Sequence, residues 1–111
     1  MAGIDRKRFD GAESVFELKH GRMYEVTVGD GEPVWLSEYE PGWNWDEDFE
    51  PYAEGAKSCP MTHREYVLGG TIRYLMDDGS ETVARAGDVL FIRPGHRAWV
   101  VGDEQCVLLD W

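Results

Sequence analysis

The sequence has little positive charge. Its 111 residues carry 11 Lys and Arg against 22 Asp and Glu, a formal net charge of −11. A surface that acidic repels phosphate backbones and anionic lipid headgroups, which argues against nucleic-acid binding and electrostatic membrane attachment. Long apolar runs are absent too, so no membrane-spanning helix is predicted, and residues 1–10 hold no apolar signal-peptide core. A cytoplasmic protein is the expectation. Cysteine is scarce: Cys59 and Cys106 are the only two, and in a reducing compartment both are free thiols. Helix signals, linkers and internal repeats are also lacking. The chain is nevertheless too apolar for disorder, with 42% hydrophobic residues, and its length suits one domain.

What is present is a succession of short β-forming segments. Residues 22–28, 34–39, 65–68, 71–76, 89–92, 98–101 and 107–109 are rich in Val, Ile, Leu, Tyr, Phe and Trp, and 81–85 lies between two turns as a further short segment. In 71–76 the apolar residues alternate, putting Ile72, Tyr74 and Met76 on one face. Turn chemistry separates the segments. Gly29-Asp30-Gly31 permits positive φ and Pro33 is read as stopping pairing; Asp77-Asp78-Gly79-Ser80 is a hairpin signal. Short strands with turns every eight to twelve residues predict an all-β sandwich or barrel. Residues 1–14 are charged and irregular and read as an arm, with a single domain over 15–111. Residues 43–58, with the acidic run Asp46-Glu47-Asp48, read as a long, partly ordered excursion of the kind that is functional or mobile.

An ordered set of motifs then stands out. Tyr66-Val67-Leu68-Gly69-Gly70 precedes Asp77-Asp78-Gly79, followed by Gly87-Asp88 and Pro94-Gly95-His96. With Pro41-Gly42-Trp43 and Trp45, Cys59 four residues before His63, and Ala98-Trp99 after His96, the set resembles the cupin superfamily, and within it the small single-domain cupins. The likeness covers about residues 34–111. It implies a cupin-type jelly-roll β-barrel, a small-molecule ligand in the barrel, and a homodimer paired through edge strands.

Many cupins hold a divalent metal on a His-x-His pair and a Glu from the first motif and a His from the second. This chain departs at each position. His63 stands where the Glu is expected. Asp48 and Glu50, counted from Pro41-Gly42, or Lys57 and Cys59, counted from His63, stand where the pair is expected. Ala98 stands at the second-motif His, with His96 two residues earlier. A metal here needs another ligand set. His63 and His96, which the resemblance brings to one cavity, form the core of one, completed by Cys59 or Asp48. Two imidazoles with a carboxylate suit iron, and two with a thiolate suit zinc or copper; manganese and nickel are the other candidates. Against this stands a reading in which both imidazoles make local hydrogen bonds and Cys59 is a buried loop thiol.

Without a metal, His63, His96 and Glu65 are the candidate general acids and bases. Strand alternation puts His63, Glu65 and Val67 on one face; a pairing of Glu65 with Arg73 is the structural alternative. Trp43 and Trp45, two apart on extended chain, present both rings to one side and, with Tyr74, Tyr24 and Trp99, are candidates for an aromatic wall. Motif parity, however, turns Trp99 outward. Arg93 and Arg97 are candidates for a carboxylate clamp or for neutralising nearby acids. Cys106 reads as a small core residue and His20 as an exposed turn residue without a role. Three function classes follow: an enzyme centred on His63 and His96, a metal-free cupin that binds or senses a small molecule, and a structural barrel.

Overall fold

Alternation of buried and exposed residues along short strands sets the architecture. A computed structural model describes residues 3–111. Among them are nine strands: β1 (Ser14–Leu18), β2 (Gly21–Val28), β3 (Glu32–Tyr39), β4 (His63–Gly69), β5 (Thr71–Met76), β6 (Glu81–Arg85), β7 (Val89–Ile92), β8 (His96–Val100) and β9 (Cys106–Asp110). They form a six-stranded sheet, β1-β2-β3-β9-β4-β7, and a three-stranded sheet, β6-β5-β8. Every ladder is antiparallel. The all-β jelly roll expected from the sequence is the architecture observed.

The core draws on both sheets. Val67, Ile72, Ala84, Cys106 and Leu108 are almost wholly buried. Burying a side chain such as Ile72 or Leu108 stabilises the fold by roughly 1.5–3 kcal/mol. Period-two alternation puts them there. On β5, Ile72 and Tyr74 point inward, whereas Arg73 points out, pairs with Glu81, and lays its guanidinium over the Trp99 ring at 5.4 Å. On β8, His96, Ala98 and Val100 are buried, so Trp99 does face outward. On β9, Cys106 and Leu108 are buried, and the same parity brings Asp110 to the inner face.

One local expectation needs correction, and two segments gain detail. Pro33 does not stop pairing: it lies within β3 opposite Thr27, near the β2–β3 hairpin end, where a missing N–H is tolerated. The irregular arm is partly ordered, with a 3-10 turn at Phe9–Gly11 and an Asp5 carboxylate accepting from the Gly29 N–H at 2.9 Å. The excursion over 43–58 contains one helical turn, α1 (Trp45–Asp48), and a 3-10 turn at Glu50–Tyr52. Asn44 explains the turn: its side-chain oxygen caps the Glu47 N–H at 2.9 Å. The excursion is stitched to β8 at both ends. The Val100 N–H donates to the Trp43 carbonyl at 3.0 Å, and the Cys59 N–H donates to the His96 carbonyl at 2.8 Å.

Candidate functional site

These stitches close a cavity of about 330 Å³ between the inner strand faces and the excursion. Its two ends differ in chemistry. One is aromatic. Tyr39 and Trp43 stack with ring centroids 3.9 Å apart and planes 8° apart. Phe49 meets both edge-on, at 6.3 and 5.8 Å. Trp45, Tyr52 and Met23 extend this wall. The other end is polar and carries Cys59, His63, Glu65, Tyr74, His96 and Asp110. Ala98 lines the cavity as well, leaving room where the cupin pattern places a histidine.

Strand register assembles the polar end. Glu65 on β4 stands opposite Asp110 on β9, and His63 precedes Glu65 on the same face. His96 opens β8, and the backbone pairing of Cys59 with His96 swings the thiol toward both imidazoles. Cys59 Sγ lies 3.5 Å from His63 Nε2, and His63 Nδ1 lies 2.8 Å from Asp110 Oδ2. The His63 and His96 ring centroids are 5.0 Å apart. His96 Nδ1 donates to the Arg93 carbonyl at 2.7 Å, an acceptor that assigns a proton to Nδ1 and turns Nε2 toward the cavity end that holds Cys59. The Tyr74 hydroxyl donates to the buried Glu65 carboxylate.

The electrostatics follow from these contacts. Burial resists ionisation of Cys59, but hydrogen bonds to His63 and then His96 outweigh it and bring the thiol down to about 6. Burial likewise opposes charge on His63, yet Asp110 and Cys59 hold the imidazole up to about 10. At neutral pH both directions favour a thiolate facing an imidazolium in the metal-free protein. Burial pushes Glu65 up to about 7 against the pull of the Tyr74 hydroxyl, and Asp110 adds to the rise. Cys106 differs from Cys59: burial, then Glu65, pushes its thiol up to about 12, in keeping with a core residue.

Of the residues singled out from the sequence, His63, His96, Cys59 and Glu65 meet at the polar end, and Trp43, Trp45 and Tyr74 line the same cavity. Asp48 and Glu50 do not reach it. Glu50 is exposed on its 3-10 turn. Asp48 is buried and fully engaged: its carboxylate accepts from the His20 N–H at 2.6 Å, His20 Nδ1 at 2.9 Å and the Asn44 N–H at 3.1 Å. His20 is thus a clamp rather than a free turn residue. Arg73 does not pair with Glu65. Arg97 pairs with Asp46 at 3.3 Å and Arg93 lies over the Phe91 ring, so neither forms a carboxylate clamp in the cavity. Tyr24 bonds to Glu38 and is not part of the aromatic wall.

Asp110 was not singled out. A signal exists in the parity of Cys106, Leu108 and Asp110, which places a carboxylate on the buried face of the last strand.

The Asp48 clamp ties the excursion to the β1–β2 hairpin. Replacing Asp48 with Ala removes the acceptor of three part-buried donors, the His20 and Asn44 N–H groups and His20 Nδ1, and is expected to cost about 2 kcal/mol. Urea unfolding would show this as a lower midpoint at unchanged slope.

No protein-family model matches the sequence, and no curated protein is similar to it at a significant level. Solved structures do match its fold. The oxalate decarboxylase of Bacillus subtilis superposes with a TM-score of 0.66 at 23% identity, covering 94% of this chain and 28% of that one. The oxalate decarboxylase of Lactobacillus farciminis, a formate complex, gives 0.67 at 17% identity, covering 99% and 32%. The polyketide cyclase RemF of Streptomyces resistomycificus gives 0.66 at 18% identity, covering 96% and 77%. This chain thus spans about a quarter to a third of the oxalate decarboxylase chains. No helix among the described residues is long and apolar enough to cross a membrane. The two-sheet topology and these superpositions together show that the chain has the cupin fold, a jelly-roll β-barrel.

Proposed function

We propose that this protein is an enzyme that binds a small organic molecule in its barrel and holds a divalent transition metal, zinc above all, on Cys59, His63 and His96. The observation that carries the proposal is convergence. Donor atoms of these three side chains lie within 4.8 Å of one another at the polar end of an aromatic cavity. The set fits a metal in detail. The 3.5 Å between Cys59 Sγ and His63 Nε2 is close to the edge of a tetrahedron with metal–sulfur and metal–nitrogen bonds of about 2.3 and 2.0 Å. Both imidazoles have Nδ1 turned to an acceptor, Asp110 for His63 and the Arg93 carbonyl for His96, which leaves each Nε2 to ligate.

A thiolate with two imidazoles selects zinc or copper over the harder manganese. The Bacillus oxalate decarboxylase has Mn(II) centres, and the ligand set here differs from that preference. A second group, His63, Glu65 and Asp110, offers oxygen donors. Its carboxylates are already engaged by Tyr74 and His63, which makes it the poorer site.

Bound metal would supply Lewis acidity at an open coordination position. The protein's own residues supply the rest. The aromatic wall binds the organic part of the ligand and excludes water. Asp110 orients His63. Glu65, held near 7 by burial, gives or takes a proton at neutral pH, with the Tyr74 hydroxyl as its partner. The alternative, a metal-free cupin that binds or senses its ligand without chemistry, draws support from Ala98, which removes a donor from the cupin pattern.

Protein purified without an affinity tag should carry about one equivalent of metal by elemental analysis. A His63→Ala, His96→Ala double variant should carry less than about a tenth of that, because one remaining donor cannot hold the ion. Metal-free protein that stays so after incubation with zinc would leave only the alternative.

A further inference from the structure

The cavity holds a second piece of information, in the charges that line it. Its boundary contains three carboxyl side chains, Glu54, Glu65 and Asp110, and no Lys or Arg among the described residues. The two arginines nearest in sequence to His96 are committed elsewhere, Arg97 to Asp46 and Arg93 over Phe91. A carboxylate or phosphate ligand entering this cavity would lose its hydration and meet no basic side chain beyond the two histidines, of which His63 is already paired with Asp110 and Cys59. Such desolvation costs several kcal/mol unless a counter-charge compensates it. A bound divalent ion does not reverse the balance, because the Cys59 thiolate and the Asp110 carboxylate already offset its two charges.

The same boundary suits the opposite kind of polar group. Glu65 and Asp110 stand opposite each other in register and present acceptor oxygens at the polar end, while the stacked Tyr39–Trp43 pair and the edge of Phe49 form a flat wall at the other. A flat ring with a hydroxyl on its rim satisfies both ends: the ring lies on the aromatic wall and the O–H donates to a carboxylate. We propose that the ligand of this pocket is a neutral hydroxyaromatic molecule of the phenol or naphthol class, and that anionic ligands are excluded by charge. The proposal rests on the reading that the barrel binds an organic ligand. It does not depend on which reaction follows.

Isothermal titration at neutral pH with 2-naphthol and 2-naphthoate tests it, since the two share a ring and differ in the charge of the substituent. Naphthol is expected to bind the wild-type protein at least about tenfold more tightly than naphthoate. Met61 lines the cavity and is 60% exposed, so Met61→Arg adds a cation at the rim with little risk to folding. In that variant naphthoate binding should rise about tenfold relative to naphthol.

The possible failures are distinguishable. Equal or tighter binding of naphthoate by the wild-type protein overturns the ligand class and leaves the pocket standing. A naphthol preference that Met61→Arg does not alter overturns charge as its cause. If neither compound binds up to its solubility, the organic-ligand reading fails, and the inference with it.

Discussion

Alkylation of Cys59 by iodoacetamide in metal-stripped protein is expected to be half-maximal near pH 6, and in the His63→Ala variant to move up toward the ordinary thiol value of 9. The thiolate is the reactive species, so the profile reads its population directly. The sign follows from the contacts. His63 is held protonated up to about 10 by Asp110 and Cys59, and its Nε2–H then faces Sγ at 3.5 Å. That cation favours the thiolate, and removing it leaves burial, which favours the neutral thiol, opposed only by the lesser pull of His96 and the Met61 backbone.

The midpoint is a better readout than the rate at one pH. Nucleophilicity falls as a thiol becomes more acidic, with a Brønsted slope of about 0.4–0.5, so a shift of some three units sacrifices more than tenfold in intrinsic reactivity. Much of the gain in thiolate fraction at neutral pH is cancelled in the rate, whereas the midpoint moves in full. Cys106, fully buried and pushed up to about 12, stays silent and serves as the internal control. Asp110→Asn should give a midpoint between the two, because the imidazolium loses its carboxylate but the ring remains. Stoichiometric zinc should suppress alkylation in the wild-type protein if the same thiol is a ligand. A wild-type midpoint near 9 would show that Cys59 and His63 do not meet as described.

The strands are legible in the sequence because each inner face is short, apolar and strictly alternating, as in Ile72 and Tyr74 or Cys106 and Leu108. The hairpins are legible because Asp-Gly and Gly-Gly pairs mark turns whatever the surrounding fold. His63, Glu65 and His96 are legible because strand parity and the cupin motifs place them on inward faces. Asp48 and Glu50 are not correctly placed by motif counting. The residues between Gly42 and His63 include a helical turn capped by Asn44, and a helical turn breaks any count made for extended chain. His20 escapes notice because its partner, Asp48, lies 28 residues away and only the folded hairpin brings them together. Asp110 escapes for the same reason at greater range: its separation from His63 is 47 residues, and β9 reaches β4 only through the sheet order. Local pattern thus reports which face a residue occupies, and long-range pairing decides which residues share that face.

That pairing hangs on one turn. Replacing Gly70 with Ala is expected to destabilise the protein by about 4 kcal/mol or more, lowering the melting temperature by some 15–30 °C. Gly70 joins β4 to β5 at φ +75°, a conformation that costs an L residue of order 1–3 kcal/mol. The larger part comes from a collision. A Cβ at Gly70 would meet the Gln105 carbonyl oxygen, the Cys106 Cα at 2.7 Å and the Gln105 carbonyl carbon at 3.0 Å. These are backbone atoms at the start of β9, which no rotamer change can clear. Gly79 separates the two costs: its φ is +90°, but nothing lies within 4 Å of its Cβ position. Gly79→Ala should therefore cost only about 1 kcal/mol, the backbone share alone.

The comparison also bears on the site. β9 is the strand that carries Asp110 to His63. A β9 displaced at its first residue to accommodate Ala at position 70 should also loosen the carboxylate at its far end. In any Gly70→Ala protein that still folds, the alkylation midpoint of Cys59 should move toward that of Asp110→Asn. Equal melting temperatures for the two alanine variants would mean that β9 does not sit against the β4–β5 turn. The register that sets Asp110 opposite Glu65 would then have to be redrawn.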